Sequence, residues 1–113
     1  MVNNYVPDRG DIIWLHFTPQ FGREHAGHRP AIVLSPKTYN RKVGLCLVCP
    51  ITSKIKGYPF EVVLKNGMKT SGAILSDQVR SLDWRSRQAE YIEKVSDEIF
   101  IEVKGKLDAL ING

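Results

Sequence analysis

Cysteine is scarce in this chain: Cys46 and Cys49 are the only two among 113 residues. Two thiols cannot build the disulfide framework that staples small secreted domains, nor a four-cysteine metal centre. The C-x-x-C spacing admits a redox or half-metal reading, but a second ligand pair is missing. On a strand that spacing puts the two thiols on opposite faces, and buried, inert side chains are the plainer reading. Long apolar runs are missing as well, and none approaches the roughly 20 residues that span a bilayer. The start, Met1-Val2-Asn3-Asn4-Tyr5, has neither the basic nor the apolar region of a signal peptide. A cytoplasmic address and no membrane partner are therefore the default. Repeats, linkers and low-complexity tracts are absent too. The chain is expected to form one domain, residues 1–113, long enough for a real core. Its hydrophobic fraction of 42% and charged fraction of 25% suit a globular protein.

Acid is absent from the middle of the chain. Residues 31–60 carry Lys37, Arg41, Lys42, Lys54 and Lys56 and no Asp or Glu, while residues 1–30 balance and residues 96–113 are net acidic. The overall charge of +4 is thus concentrated in one block. Such a block fits an anionic partner, either nucleic acid or an acidic peptide. A solvated lysine-rich surface is the competing reading.

What is present reads mostly as short strands. Ile12 to Phe17 is apolar on both faces and ends at Thr18-Pro19. His16 shares a strand face with Ile12 and Trp14, so alternation alone accounts for it. Residues 31–35 form a second apolar, β-branched run. Lys37 to Lys42 fits a short helical turn or a hairpin loop, closed by Gly44. Leu45 to Thr52 reads as a strand that Pro50 bends or frays. Phe60 to Leu64 follows, then the turn pair Asn66-Gly67, a second turn at Lys69-Thr70-Ser71-Gly72, and a short strand at Ala73-Ile74-Leu75. Ser76 to Trp84 is polar with isolated apolar residues, and Tyr91 to Val95 fits a last strand. The period then changes. Ser96 suits an N-cap, and Ile99, Val103, Leu107 and Leu110 recur at helical spacing. Trp14 and Trp84 are assigned to packing. Together these elements predict a mainly β fold with helical cover: a small, strongly curved barrel with a C-terminal helix.

The chemistry concentrates in one loop, Gly22-Arg23-Glu24-His25-Ala26-Gly27-His28-Arg29-Pro30, which runs straight into the second strand. Two glycines free its middle, and Pro30 holds Arg29 extended. One carboxylate, two imidazoles and two guanidiniums in so short a space suit acid–base and anion chemistry. On residue type alone Arg29 also reads as a structural arginine, Glu24 as a solvated charge and Thr52 as a strand-end hydroxyl. A zinc reading of Glu24, His25 and His28 falls short in ligand number.

Gly10-Asp11-Ile12-Ile13-Trp14 and Glu24-His25-Ala26-Gly27-His28-Arg29-Pro30 resemble the MazF/PemK family of toxin ribonucleases, and its MazF branch in particular. The blocks Pro50-Ile51-Thr52, Lys56-Gly57-Tyr58-Pro59-Phe60 and Ser76-Asp77-Gln78-Val79-Arg80-Ser81 agree in order and reach across nearly the whole chain. The resemblance implies an SH3-like, plasmid-maintenance-type barrel that forms a homodimer. It implies sequence-selective, metal-independent cleavage of single-stranded RNA, mainly mRNA, leaving 2′,3′-cyclic phosphate and 5′-hydroxyl ends. It also implies a cognate antitoxin whose acidic, disordered tail covers the groove. The family's central catalytic pair falls on Arg29 and Thr52, its loop glutamate on Glu24, and His28 matches the MazF branch.

These residue types suit that reaction. A guanidinium is always charged and presents paired planar donors to phosphate oxygens. A threonine hydroxyl can donate to a second oxygen, and Glu24 fits the base for the 2′-hydroxyl. His28 and His25 are alternative proton shuttles. Single-strand readers stack bases and probe their edges. Phe17 and Tyr58 fit stacking, Asp77 and Gln78 base edges, and Lys54, Lys56 and Arg80 phosphates. Two rival readings are an SH3-like module that binds RNA or an acidic peptide without chemistry, and a related toxin fold aimed at DNA gyrase.

Overall fold

The computed structural model describes residues 4–16 and 28–113. Among them are seven strands and two helices: β1 Asp11–His16, β2 His28–Val33, α1 Lys37–Val43, β3 Leu45–Thr52, β4 Glu61–Val63, β5 Ala73–Leu75, β6 Arg80–Asp83, β7 Glu90–Lys94 and α2 Asp97–Asn112. The sheet is antiparallel, in the order β4-β5-β3-β2-β1-β7, with β6 pairing β3 off that path. β3 organises it. One edge pairs with β2, while the other pairs with β6 along its first half and with β5 at Ile51 and Thr52.

The double-faced apolarity of these strands has a direct consequence, because each face supports its own core. On one face Ile12, Ile32, Cys49, Ile51, Val62 and Ile74 pack beneath Ile99 and Val103 of α2. On the other, Ile13, Leu15, Val33, Cys46, Val48 and Trp84 form a second cluster, flanked by Tyr5 and Val6. Cys46 and Cys49 fall in different clusters, as their spacing requires, and both are free thiols. Burial pushes each of them up to about 12. Buried Asn40 of α1 secures the second core. Its amide donates to the Pro7 and Ser35 carbonyls at 2.8 and 3.0 Å, and its own carbonyl accepts from the Trp84 indole at 2.9 Å.

Several expectations need adjusting. The second strand begins at His28 rather than residue 31, since Pro30 and the residue before it are already extended. The stretch from Lys37 is helical and ends at Gly44, whose φ of 84° closes it with a bond to Asn40. β3 has the expected bounds, Leu45 to Thr52, and Pro50 lies within its ladder, paired with Ala31. β6 arises within the polar run, where Leu82 alone is buried. Trp84 packs as expected, but Trp14 is 37% exposed. Among the described residues no ladder joins β4 to β7. Instead the Glu93 carboxylate of β7 accepts from the backbone N–H groups of Lys69 and Thr70, in the β4–β5 turn, at 3.1 and 2.8 Å. A side chain thus bridges the two ends of the curved sheet. Ser96 caps α2 by accepting from the Ile99 N–H at 3.3 Å. No helix among the described residues is long and apolar enough to cross a membrane.

Candidate active site

The register between β2 and β3 builds the candidate site. Ala31 stands opposite Pro50, and Val33 opposite Val48. The ladder runs from Val33–Val48 to Ala31–Pro50; two residues beyond it on the two strands stand Arg29, paired with Leu15 of β1, and Thr52, paired with Ala73 of β5. Alternation puts both side chains on the face of Ala31, Val33 and Val48. Arg29 is exposed and Thr52 half-buried, so both can meet a ligand from solvent. Arg80 of β6 is paired with Val48 and rises from this same face on the other side of β3.

Thr52 is the last residue of β3, and its hydroxyl oxygen accepts from the Lys54 N–H at 3.1 Å. A hydroxyl has one proton and two lone pairs. With its oxygen engaged as an acceptor, its proton remains to be donated. The chain then enters the basic segment, where Lys54, Lys56 and Tyr58 are all exposed. Sequence reasoning gave no role to Glu61, yet this buried carboxylate holds the segment down. It accepts from the Gly57 N–H at 2.8 Å and from the Lys56 N–H at 3.1 and 3.2 Å. A lone acid inside an otherwise apolar strand was the signal available for it. Lys106 of α2 adds a bond to the Pro59 carbonyl at 2.7 Å.

The Tyr58 hydroxyl donates to the Asp77 carboxylate in a short hydrogen bond. That bond is the main reason the phenol is held above its usual range. The second carboxylate oxygen of Asp77 is buried without a partner, as is the Ser76 hydroxyl. Gln78 is exposed in the turn that leads to Arg80. Tyr58 and Asp77 are thus joined directly across two loops.

Glu24 and Phe17, and the alternative shuttle His25, lie outside the described residues. His28 is on β2 opposite His16, and its side chain is likewise outside the description. At the end of β1 the His16 N–H donates to the Arg87 carbonyl at 3.0 Å, and the Arg87 guanidinium returns a bond to the His16 carbonyl at 3.3 Å. Among the described residues no three His, Cys, Asp or Glu side chains group as metal ligands. The concavities beside α2, of about 240 and 420 Å³, are lined by residues such as Arg9, Leu34, Phe100 and Leu107 and by none of the candidates above.

Residues 8–111 match the family model for the PemK-like, MazF-like toxin of type II toxin–antitoxin systems. The chain is 52% identical to the endoribonuclease toxin MazF of Escherichia coli K12, over 98% of its own length and 99% of that protein. It is 32% identical to the E. coli endoribonuclease PemK, over 92% and 81% of the two chains, in keeping with the MazF-branch resemblance. Among solved structures, MazF from Deinococcus radiodurans superimposes with a TM-score of 0.88 at 52% identity, over 97% of this chain and 100% of that one. A MazE–MazF complex from the same organism gives 0.87 at 49%, over 96% and 97%. The chain belongs to the PemK/MazF family of type II toxins.

Proposed function

We propose that this protein is a sequence-selective endoribonuclease toxin that cuts single-stranded RNA, mainly mRNA, without a metal ion, and thereby stops translation and growth. The observation that supports the reading is the β2–β3 ladder, at whose end, two residues beyond Ala31 and Pro50, Arg29 and Thr52 stand, in a chain whose relatives are named endoribonucleases. In this reading the 2′-hydroxyl gives its proton to Glu24, and its oxygen attacks the adjacent phosphorus. The bond to the 5′-oxygen then breaks, and that oxygen takes up a proton delivered by His28 or by water held on Arg29. The products are a 2′,3′-cyclic phosphate and a 5′-hydroxyl.

The Arg29 guanidinium donates to the non-bridging oxygens as charge builds in the phosphorane, and Thr52 donates to a second oxygen. Preorganised donors of this kind are worth about 3–4 kcal/mol each. Phe17, Lys54, Lys56, Gln78, Arg80 and the Tyr58–Asp77 unit bind the flanking nucleotides. The protein works as a homodimer in the cytoplasm. A cognate antitoxin neutralises it by laying an acidic, disordered tail across this cationic face, in line with the MazE–MazF complexes of its structural relatives.

Cleavage of a long single-stranded RNA in EDTA tests the reading. Wild type should cut, Arg29→Ala and Thr52→Ala should each lose about 10²–10³-fold in rate, and the double variant should lose little more than the worse single one. Additive losses would separate the two residues. Undiminished cutting by Arg29→Ala would reject the assignment, and salt-sensitive binding of intact RNA by wild type would favour the non-catalytic module.

A further inference from the structure

Gly72 joins the second turn to β5 and has φ of +116°, open to glycine and strained for an L side chain. Its Cα faces the end of β3. A methyl group built on it would collide with the Thr52 carbonyl oxygen, 3.0 Å from the carbonyl carbon and 3.3 Å from the Ser53 Cα. These neighbours are backbone, so they cannot swing away as the tip of a flexible side chain would. The position is also tied on both sides: the Gly72 carbonyl accepts from the Leu64 N–H at 2.9 Å, and Ala73 pairs with Thr52. Gly67 makes the contrast. Its φ is +93°, yet a methyl there meets nothing within 4 Å.

We propose that Gly72 is a positioning residue for Thr52. Its bare Cα lets β5 close against the last residue of β3, and that closeness fixes the hydroxyl that the Lys54 N–H engages. A side chain at position 72 drives the Thr52–Ser53 peptide outward and carries the hydroxyl with it. The inference rests on reading Thr52 as a ligand of the scissile phosphate. Displacing such a group by about 1 Å costs on the order of 10²-fold in rate.

The test compares wild type, Gly72→Ala and Gly67→Ala by RNA cleavage in EDTA, with folding followed by circular dichroism and the Lys54 amide by NMR. Gly72→Ala should lose about 10²-fold in kcat with KM within about two-fold, and its Lys54 amide resonance should move. In a Thr52→Ala background, adding Gly72→Ala should cost nothing further. Gly67→Ala should cleave normally with an unshifted Lys54 amide. d-Alanine introduced at position 72 by chemical synthesis suits positive φ and directs its methyl away from Thr52. It should rescue cleavage relative to the l-alanine variant, including when that variant does not fold. Wild-type kcat in Gly72→Ala, a further loss in the Thr52→Ala background, or a folded d-alanine chain without cleavage would each overturn the proposal. A wild-type chain that cuts no RNA would instead remove the ribonuclease reading beneath it.

Discussion

Arg29 and Thr52 are 23 residues apart in the chain, yet each stands two residues beyond the paired Ala31 and Pro50 of adjacent antiparallel strands, a relation that residue types could not disclose. The family motif pointed to both; their shared face followed only from the register. Tyr58 and Asp77 were each legible as polar groups beside the basic segment, but their mutual hydrogen bond was not, since it joins separate loops. The two cysteines were readable from spacing alone. They yield a prediction with a definite sign. An unfolded thiol ionises near 9, whereas both native thiols stay protonated up to about 12. The unfolded state therefore sheds protons first as pH rises, and stability falls between about pH 9 and 12 while these groups leave it unaffected below that window. Urea unfolding across this range should show a shallower decline in the Cys46→Ala, Cys49→Ala chain than in wild type. An identical decline would assign the loss to other groups.

At the scale of elements, the strongest signals were the helical period of α2 with its Ser96 cap and the β-branched runs of β1 to β3. The weakest was β6, whose four residues bury only Leu82, too little for alternation to stand out from the surrounding polar run. β2 starts before the apolar run that marks it in the sequence, since proline geometry keeps Arg29 and Pro30 extended. The basic segment between β3 and β4 is held by a buried carboxylate from the next strand. α2 carries one element-level weakness. Gly105 lies within the helix, and a methyl added there meets nothing within 4 Å. Gly105→Ala should therefore raise stability by about 1 kcal/mol through helix propensity, a gain of about 4–8 °C in Tm by thermal unfolding. No gain would mean that this turn of α2 makes contacts a methyl disturbs.

Over the whole molecule, the curved sheet carries a core on each face, with α2 over one and the N-terminal segment and α1 against the other. The cationic block of residues 31–60 is divided by β3: Lys37, Arg41 and Lys42 lie on α1, before its start, and Lys54 and Lys56 follow its end at Thr52. Family membership and the mainly β fold with its C-terminal helix were legible from ordered motifs. The side-chain bridge from Glu93 across the sheet ends was not, because it depends on two turns meeting in space. The chemistry itself is tested most directly with a pair of short single-stranded RNAs that share a mapped cleavage site, one of them lacking the 2′-hydroxyl immediately 5′ of the scissile phosphate. With EDTA present, mass spectrometry should find the all-ribose strand cut to 2′,3′-cyclic phosphate and 5′-hydroxyl ends and the deoxy-substituted strand intact at that bond. Cutting of the substituted strand, or ends bearing a 5′-phosphate, would contradict attack by the 2′-oxygen.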